Sequence, residues 1–381
     1  MTTAPLSELT TLRVGGPARA LVTATTRDSL IEHTLDAWDS GENWLILGGG
    51  SNVVIADDGF DGTVICVATR GIEELPESDA TTVRLRVAAG EPWDKLVAHT
   101  VERGWAGIEA LSGIPGSSGA APIQNIGAYG DELSSSLVAV DFLDYLTGEL
   151  RRMPAAELDL GYRTSIFKQG TLGLVVSIEL ALSRNAGASA VGTGSAETAT
   201  AALSNPIAFD QLAKALGVTV GERVELAKVR ASVLALRASK GMVLDAADPD
   251  SVSAGSFFTN PLVGENFART LPLDAPRWLN VPEGEDVVVP LGETPARPPE
   301  RTDFRVKLSA AWLIEQAGIH RGFALPGSRA AISSKHTLAI TNTGGATAAD
   351  IAELARFVQT RVFSEFGVKL HPEPVFIGHE L

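Results

Sequence analysis

A chain of 381 residues is longer than one ordinary hydrophobic core supports, and the usual domain size divides it into two or three. Its formal charge of −15, from 46 acidic and 31 basic residues, argues against a nucleic-acid backbone or an anionic membrane surface as a general partner, so an anionic ligand must find a locally positive pocket. One cysteine, Cys66, rules out an internal disulfide and reads as core within VICVA, while six scattered histidines show no metal-ligand spacing, so no metal site is expected.

The opening MTTAPLSELTTLRVGG has neither the basic start nor the apolar stretch of a signal peptide, and no apolar run approaches bilayer length. A soluble, cytoplasmic protein is expected. A helix is predicted from Asp28 to Trp38, then two apolar strand-like runs, Trp44 to Leu47 and Val53 to Ala56, flank the turn GGGSN. A doubly wound dinucleotide fold needs a third glycine opening a helix, but after Gly48 and Gly50 position 53 is valine and a strand follows. A strand-to-strand glycine turn still points N–H groups at a phosphate. VRLRVAA alternates as a strand, and the next helix has Pro92 in its first turn and stops at Gly104.

That helix delivers the chain to LSGIPGSSGAAPIQNIGAYG, residues 111–130, which hold five glycines, two prolines and no charge. Such a composition predicts a shaped loop rather than a helix or strand interior. Ile114, Ile123, Ile126 and Tyr129 are too apolar for a solvated turn, so the loop is expected to be buried with its N–H groups facing a phosphate-bearing cofactor.

Beyond it, LVAVDFLDYLTGELRRM reads as a hairpin turning at Thr147 and Gly148, and Tyr162, Arg163 and Lys168 fall between apolar strands, where they could line a pocket. Residues 183–205 are almost wholly Ala, Gly, Ser and Thr, a surface excursion or linker. Helices are predicted from Phe209 to Leu216, from Leu226 to Ala238 and from near Ser309, with the proline-rich VPLGETPARPPERTD before the last. ISSKHTLAITN reads as a strand, and Thr347 and Asp350 form a capping box for a helix with Ile351, Leu354, Val358 and Val362 on one face. Strands and helices mix without βαβ alternation or internal repeat, an α+β fold.

There is no G-x-S-x-G, P-loop, H-E-x-x-H or C-x-x-C, so hydrolase and metalloenzyme readings have little support. Three separated residues remain suggestive: Arg163 after Tyr162, Ser256 in AGSFFTNP and Glu373 in HPEPVF. Taken singly, they read as a surface ion-pair partner, a turn residue and a solvated carboxylate.

As a set, with TLRVGG, GGGSN, IPGSSGAAPIQNIGAYG, GYRTSIFK, AGSFFTNP, AAWLIEQAG and PEPVFIG in this order, the chain resembles the UDP-N-acetylenolpyruvoylglucosamine reductases of bacterial peptidoglycan synthesis along nearly its whole length. The resemblance implies a two-subdomain FAD-binding fold of the non-Rossmann, vanillyl-alcohol-oxidase type, plus a separate α+β substrate domain. Residues 1–70 and 71–228 would form the two FAD-binding parts, with 374–381 joining the first, and 229–373 the substrate domain. FAD would be held by Gly48, Gly49, Gly50, Ser51 and Asn52, and by Ile114, Pro115, Gly116, Ser117, Ser118, Gly119, Gln124, Asn125, Gly127 and Ala128.

The implied reaction is reduction of an enolpyruvyl ether to a lactyl ether, NADPH giving hydride to FAD, with a UDP-sugar as substrate and a monomer as the working unit. Arg163 and a protonated or bridged Glu373 would hold and polarise the substrate carboxylate, and Ser256 would donate the proton. Tyr162, Arg237, Lys240, Asn260 and Gln316 match substrate-binding positions, and Phe209 stands where one branch of the family has a lid tyrosine. Two other readings stay open: an oxidase or dehydrogenase on the same flavin fold with another substrate, and a non-catalytic nucleotide-sugar binder.

Overall fold

The structure is a computed structural model that describes residues 5–184, 201–280, 305–379 and 381. The excursion at 183–205 and the proline-rich stretch therefore lie largely outside the described residues. The first helix runs Arg27–Asp39, opened by a capping box in which Thr26 and Ser29 satisfy each other's amides. It covers a parallel sheet in which strand Phe60–Val67 lies between Ala18–Ala24 and Trp44–Leu47. A larger antiparallel sheet packs against the same helix, since Leu30 and Ala37 share a core with Ile65 of the first sheet and Leu143, Leu174 and Val176 of the second.

The larger sheet runs in the order Leu150–Pro154, Leu137–Asp144, Gly173–Arg184, Thr82–Ala88, Ile72–Glu74. The hairpin turns at Thr147 and Gly148 as its sequence predicts. In Thr82–Ala88 only Val83, Leu85 and Val87 are buried, the period of two that a sheet with one covered face requires. Helix Trp93–Glu102 packs there, and its Trp93 indole N–H donates to Leu111 O at 3.1 Å, which pins the start of the uncharged loop.

The C-terminal core gathers Phe257, Phe258, Leu313, Ile314 and the Ile351, Leu354, Val358 and Val362 face of helix Ala348–Phe366. Leu354→Ala in so closed a core costs about 2–5 kcal/mol. Leu12, Val14 and Val54 belong to the same core, so the N-terminal segment packs against residues more than two hundred positions away. Thr347 and Asp350 make the expected capping box, and the Asp57 carboxylate takes the amides of Ala348 and Ala349 at 2.7 and 3.0 Å.

Three sequence expectations need correction. ISSKHTLAITN is not one strand: Ala330–Ile332 and Ile340–Asn342 pair as antiparallel strands, because Ser333 Oγ and the Ser334 amide and hydroxyl all bond the Asp250 carboxylate and fold the run between them. The uncharged loop contains a 3₁₀ turn, Ser118–Gln124, closed by Asn125 at φ +46°. Cys66 is half-buried beside the core of Leu6, Ile55 and Val64 rather than within it.

Candidate active site

Two loops meet edge to edge at the junction of the sheets. GGGSN turns between strands Trp44–Leu47 and Val53–Ile55, and Ser51 Oγ donates to Pro115 O at 3.1 Å. A Cβ on Gly49 would lie 2.6 Å from Gly116 Cα, and one on Gly48 would collide with Ser117 Oγ. These glycines let two backbones touch, a use that composition alone could not separate from close approach by a cofactor.

The two loops differ in where their amides point. Ser118 and Gly119 donate to Glu91 O and Ala89 O at 2.9 and 2.8 Å, so those N–H groups serve the fold and not a ligand as the burial argument expected. The amides of Gly49, Gly50, Ser51 and Asn52 donate to nothing among the described residues. Four consecutive open amides beside an uncharged loop fit the pyrophosphate of FAD. Ile114 packs against the core of the larger sheet, and Ala128 pairs with Asp131 in a short ladder. Asn125, fully buried, spends its side chain on Glu132, Ser134 and Gly161 O.

Strand Val375–Ile377 pairs in parallel with Val53–Ile55 and so carries Glu373 to the end of the glycine turn. Asn52 Nδ2 donates to Gln124 Oε1 at 2.8 Å and to Glu373 O at 3.2 Å, and Gln124 Nε2 donates to Glu373 Oε1 at 3.1 Å. Arg163 is a non-glycine residue at φ +55°, held there as its guanidinium donates to Gly127 O at 2.8 Å while Nε lies 3.4 Å from Glu373 Oε1. Burial pushes the Glu373 carboxyl above the usual carboxylate range, outweighing Arg163, Lys168 and Gln124, which pull it down.

Ser256 comes to the same place along the backbone. The Glu373 amide donates to Phe257 O at 2.9 Å, and Phe258 bridges Pro372. The half-buried Ser256 makes no hydrogen bond among the described residues, so its hydroxyl is uncommitted. Beside this group opens a cavity of about 640 Å³ lined by Tyr162, Arg163, Lys168, Asn260, Arg305 and Lys369, with no carboxylate among its lining. In a chain of charge −15 this is the locally positive pocket that an anion requires. Asn260 lies within hydrogen-bonding reach of the Tyr162 hydroxyl, and Lys307 Nζ stands 4.8 Å above the Tyr162 ring.

A second polar group lies behind Arg163. Lys240 Nζ donates to Gln211 Oε1 at 3.3 Å and sits 5.7 Å over the Tyr129 ring, against which Phe209 packs edge-on at 6.2 Å. Arg237 donates to Met242 O at 2.8 Å, while its buried Nε has no partner and burial pulls its pKa down. Such an orphaned guanidinium donor suits a ligand oxygen. Gln316 stands apart: it is exposed at the end of helix Ala310–Gln316, whose other end meets the site through Ala310 N–H bonding Asn260 Oδ1 at 2.9 Å.

The sequence places Lys168 on a pocket wall with Tyr162 and Arg163, where the structure has it, but gives it no chemical role, and gives Tyr129 none beyond apolar bulk. Lys168 Nζ donates to Gln124 Oε1 at 3.4 Å, and Tyr129 joins Lys240 to Phe209. The signal for Lys168 was its place five residues after Arg163 in GYRTSIFK; Tyr129 carried none beyond its loop.

Comparison with known proteins gives the family. Residues 248–377 match the UDP-N-acetylenolpyruvoylglucosamine reductase C-terminal domain, and residues 18–154 match an FAD binding domain. A UDP-N-acetylenolpyruvoylglucosamine reductase of Leifsonia xyli subsp. xyli is 59% identical over 378 residues, 98% of each chain. That of Salinispora arenicola is 48% identical over 374 residues, 98% of this chain and 94% of its own. The crystal structure of the Thermus caldophilus UDP-N-acetylenolpyruvylglucosamine reductase has a TM-score of 0.60 at 24% identity, covers 98% of this chain and 97% of its own, and shares the fold. With an FAD binding domain at one end, a reductase C-terminal domain at the other and relatives matched over nearly their full length, the chain belongs to the UDP-N-acetylenolpyruvoylglucosamine reductase family.

Proposed function

We propose that the chain reduces the enolpyruvyl ether of UDP-N-acetylglucosamine enolpyruvate to the lactyl ether of UDP-N-acetylmuramate, with NADPH as the reductant. Bound FAD supplies the hydride chemistry. The observation that carries the reading is the convergence of Arg163, Glu373 and Ser256, from three distant segments, beside one carboxylate-free cavity.

Hydride addition to the methylene carbon puts negative charge on the neighbouring carbon and its carboxylate, and each of the three side chains has a part in that change. Arg163 binds the carboxylate and stabilises the charge as it grows. Glu373, whose pKa burial raises, holds the same group in its protonated or bridged form instead of repelling it. Ser256, uncommitted in the fold, gives its proton to the carbon next to the carboxylate and is reprotonated from water. Arg237 and Lys240 bind the diphosphate, Tyr162 and Asn260 the sugar-nucleotide, and Phe209 flanks it.

On this reading residues 1–70 with 374–381, and 71–228, hold the cofactor, and 229–373 bind substrate; the pairing of Val375–Ile377 with Val53–Ile55 supports that division. On the same reading the working unit is a cytoplasmic monomer acting on small molecules; among the described residues no helix is long and apolar enough to cross a membrane. The deciding experiment is anaerobic: NADPH bleaches the flavin absorbance, and the enolpyruvyl substrate then restores it. A flavin that NADPH bleaches but the substrate leaves bleached contradicts the assignment.

A further inference from the structure

Gln124 has one oxygen and one NH₂ group, and which of them faces Glu373 is not set by Glu373 alone. Two donors fix it. Asn52 Nδ2 reaches Gln124 Oε1 at 2.8 Å, and Lys168 Nζ, an ammonium that can only donate, reaches the same oxygen at 3.4 Å. With its oxygen taken twice, Gln124 must present Nε2 to Glu373 Oε1, at 3.1 Å. Arg163 Nε approaches that same Oε1 at 3.4 Å. One oxygen of Glu373 thus faces two donors, while Oε2 has no hydrogen bond among the described residues. A proton on this carboxyl therefore belongs on Oε2, because Oε1 already accepts from Gln124 and faces the Arg163 guanidinium.

We propose that Lys168, acting through the amide of Gln124, is a positioning residue for Glu373: it fixes which carboxyl oxygen accepts and which carries the proton offered to the substrate. The inference rests on the proposed reaction. Lys168 is suited to the task because it stands on the cavity wall and its backbone is anchored locally, its own amide donating to Ser165 Oγ at 3.3 Å while Ser165 Oγ holds Ile123 O at 2.5 Å, next to Gln124. The charged and titratable groups that face Glu373 are Arg163, Lys168 and Tyr162. Removing the Lys168 charge takes away a stabiliser of the Glu373 carboxylate, so the carboxyl should hold its proton to higher pH.

The test uses the FAD-loaded protein and Lys168→Met, Lys168→Arg and Glu373→Gln, with Lys168→Met also made in the Glu373→Gln background. Flavin content and bleaching by NADPH should stay within about two-fold of wild type in both Lys168 variants, and reoxidation by the enolpyruvyl substrate should slow about ten-fold or more in Lys168→Met and be largely restored in Lys168→Arg. The pH at which reoxidation falls off should move upward in Lys168→Met and stay in place in Lys168→Arg. In the Glu373→Gln background, Lys168→Met should change the reoxidation rate by less than about two-fold, since there is no carboxyl left to orient. Equal slowing in both backgrounds, or a raised substrate KM with an unmoved pH profile, would make Lys168 a direct substrate contact and overturn the proposal. If wild-type flavin is not reoxidised by the enolpyruvyl compound, it is the reaction assignment that fails; if it is and the double mutant is additive, only the role of Lys168 fails.

Discussion

Arg163 Nε and Glu373 Oε1 face each other at 3.4 Å, yet the carboxyl is held above its ordinary pKa, because burial of its charge outweighs the neighbouring cation. Arg163 thus meets a carboxyl that burial inclines toward its protonated form, and the contact gains full ion-pair character only once that carboxyl ionises. Binding a carboxylate substrate between these two groups favours the neutral form further, since a second negative charge there would be repelled.

Carbon reduction should consequently be fastest below the raised pKa of Glu373 and fall as pH rises through it, while NADPH bleaching of the flavin keeps its rate across the same range. Glu373→Gln, which retains a hydrogen-bond donor, should remove that limb of the profile and slow reoxidation by less than Ser256→Ala does, since the proton transfer to carbon is kept. Stopped-flow absorbance of the two half-reactions against pH checks both statements, and an unchanged limb in the variant would assign it to another group.

Ser256→Ala removes a hydroxyl that no part of the described fold uses, so stability and flavin content should be close to wild type. Flavin bleaching by NADPH should stay within a few-fold and reoxidation should slow by roughly two or more orders of magnitude, with Ser256→Cys recovering part of the rate. Equal slowing of both halves would show that the serine is structural, and undiminished reoxidation that the proton comes from elsewhere.

Gly116→Val should yield protein without bound flavin. Its φ of +121° is strained for a branched residue, and a Cβ there would lie 2.8 Å from Ser51 Oγ, pushing the GGGSN turn off the uncharged loop. The absorbance ratio of flavin to protein after purification reads the outcome, and wild-type stoichiometry would contradict it.

Lys240→Ala should raise KM for both NADPH and the UDP-sugar by roughly ten-fold or more, the scale of a lost charged hydrogen bond, because the two ligands take turns before one flavin. Flavin content should hold, as Lys240 contacts Gln211 and Tyr129 rather than the glycine turn. A fall in flavin affinity alone would move Lys240 to the cofactor site.

Asp94 ties the start of the uncharged loop to the helix beyond it, accepting from the Gly113 amide at 2.6 Å and from both Arg230 terminal nitrogens at 2.7 and 2.9 Å. Burial raises its pKa, but the Arg230 and Gly113 hydrogen bonds outweigh that and leave it depressed, so its contribution to stability is present above the unfolded pKa and lost as pH falls through the folded one. Asp94→Asn should lower stability near neutral pH by roughly 1 kcal/mol, the solvent-screened worth of a partly exposed pair, and should flatten the acid limb of the Tm profile. A Tm difference that persists undiminished below pH 3 would contradict this.

What the sequence made legible was whatever local chemistry determines. The capping box at Thr347 and Asp350, the hairpin at Thr147 and Gly148 and the alternation of Val83, Leu85 and Val87 are each specified within a few residues. The split of ISSKHTLAITN was not, because it depends on Asp250, eighty-odd positions earlier, capturing Ser333 and Ser334. Nor was the purpose of Gly48 and Gly49 plain, since a glycine required by a neighbouring backbone looks the same in a sequence as one required by a cofactor. The motif that points Asn52 and Gln124 toward a cofactor says nothing of their side chains, which are joined to each other and to Glu373.

The pairing of Val375–Ile377 with Val53–Ile55 also sets a schedule for synthesis. Asn52 and Glu373 are 321 residues apart, and at about 5–20 residues per second the ribosome needs roughly 16–64 s to make the second partner after the first. Throughout that interval the glycine turn exists without the strand that flanks it and without the acid that faces Arg163. A nascent chain can thus fold the larger sheet, whose contacts are shorter in range, but it holds no competent centre until the strand at 375–377 has left the exit tunnel and closed the ring.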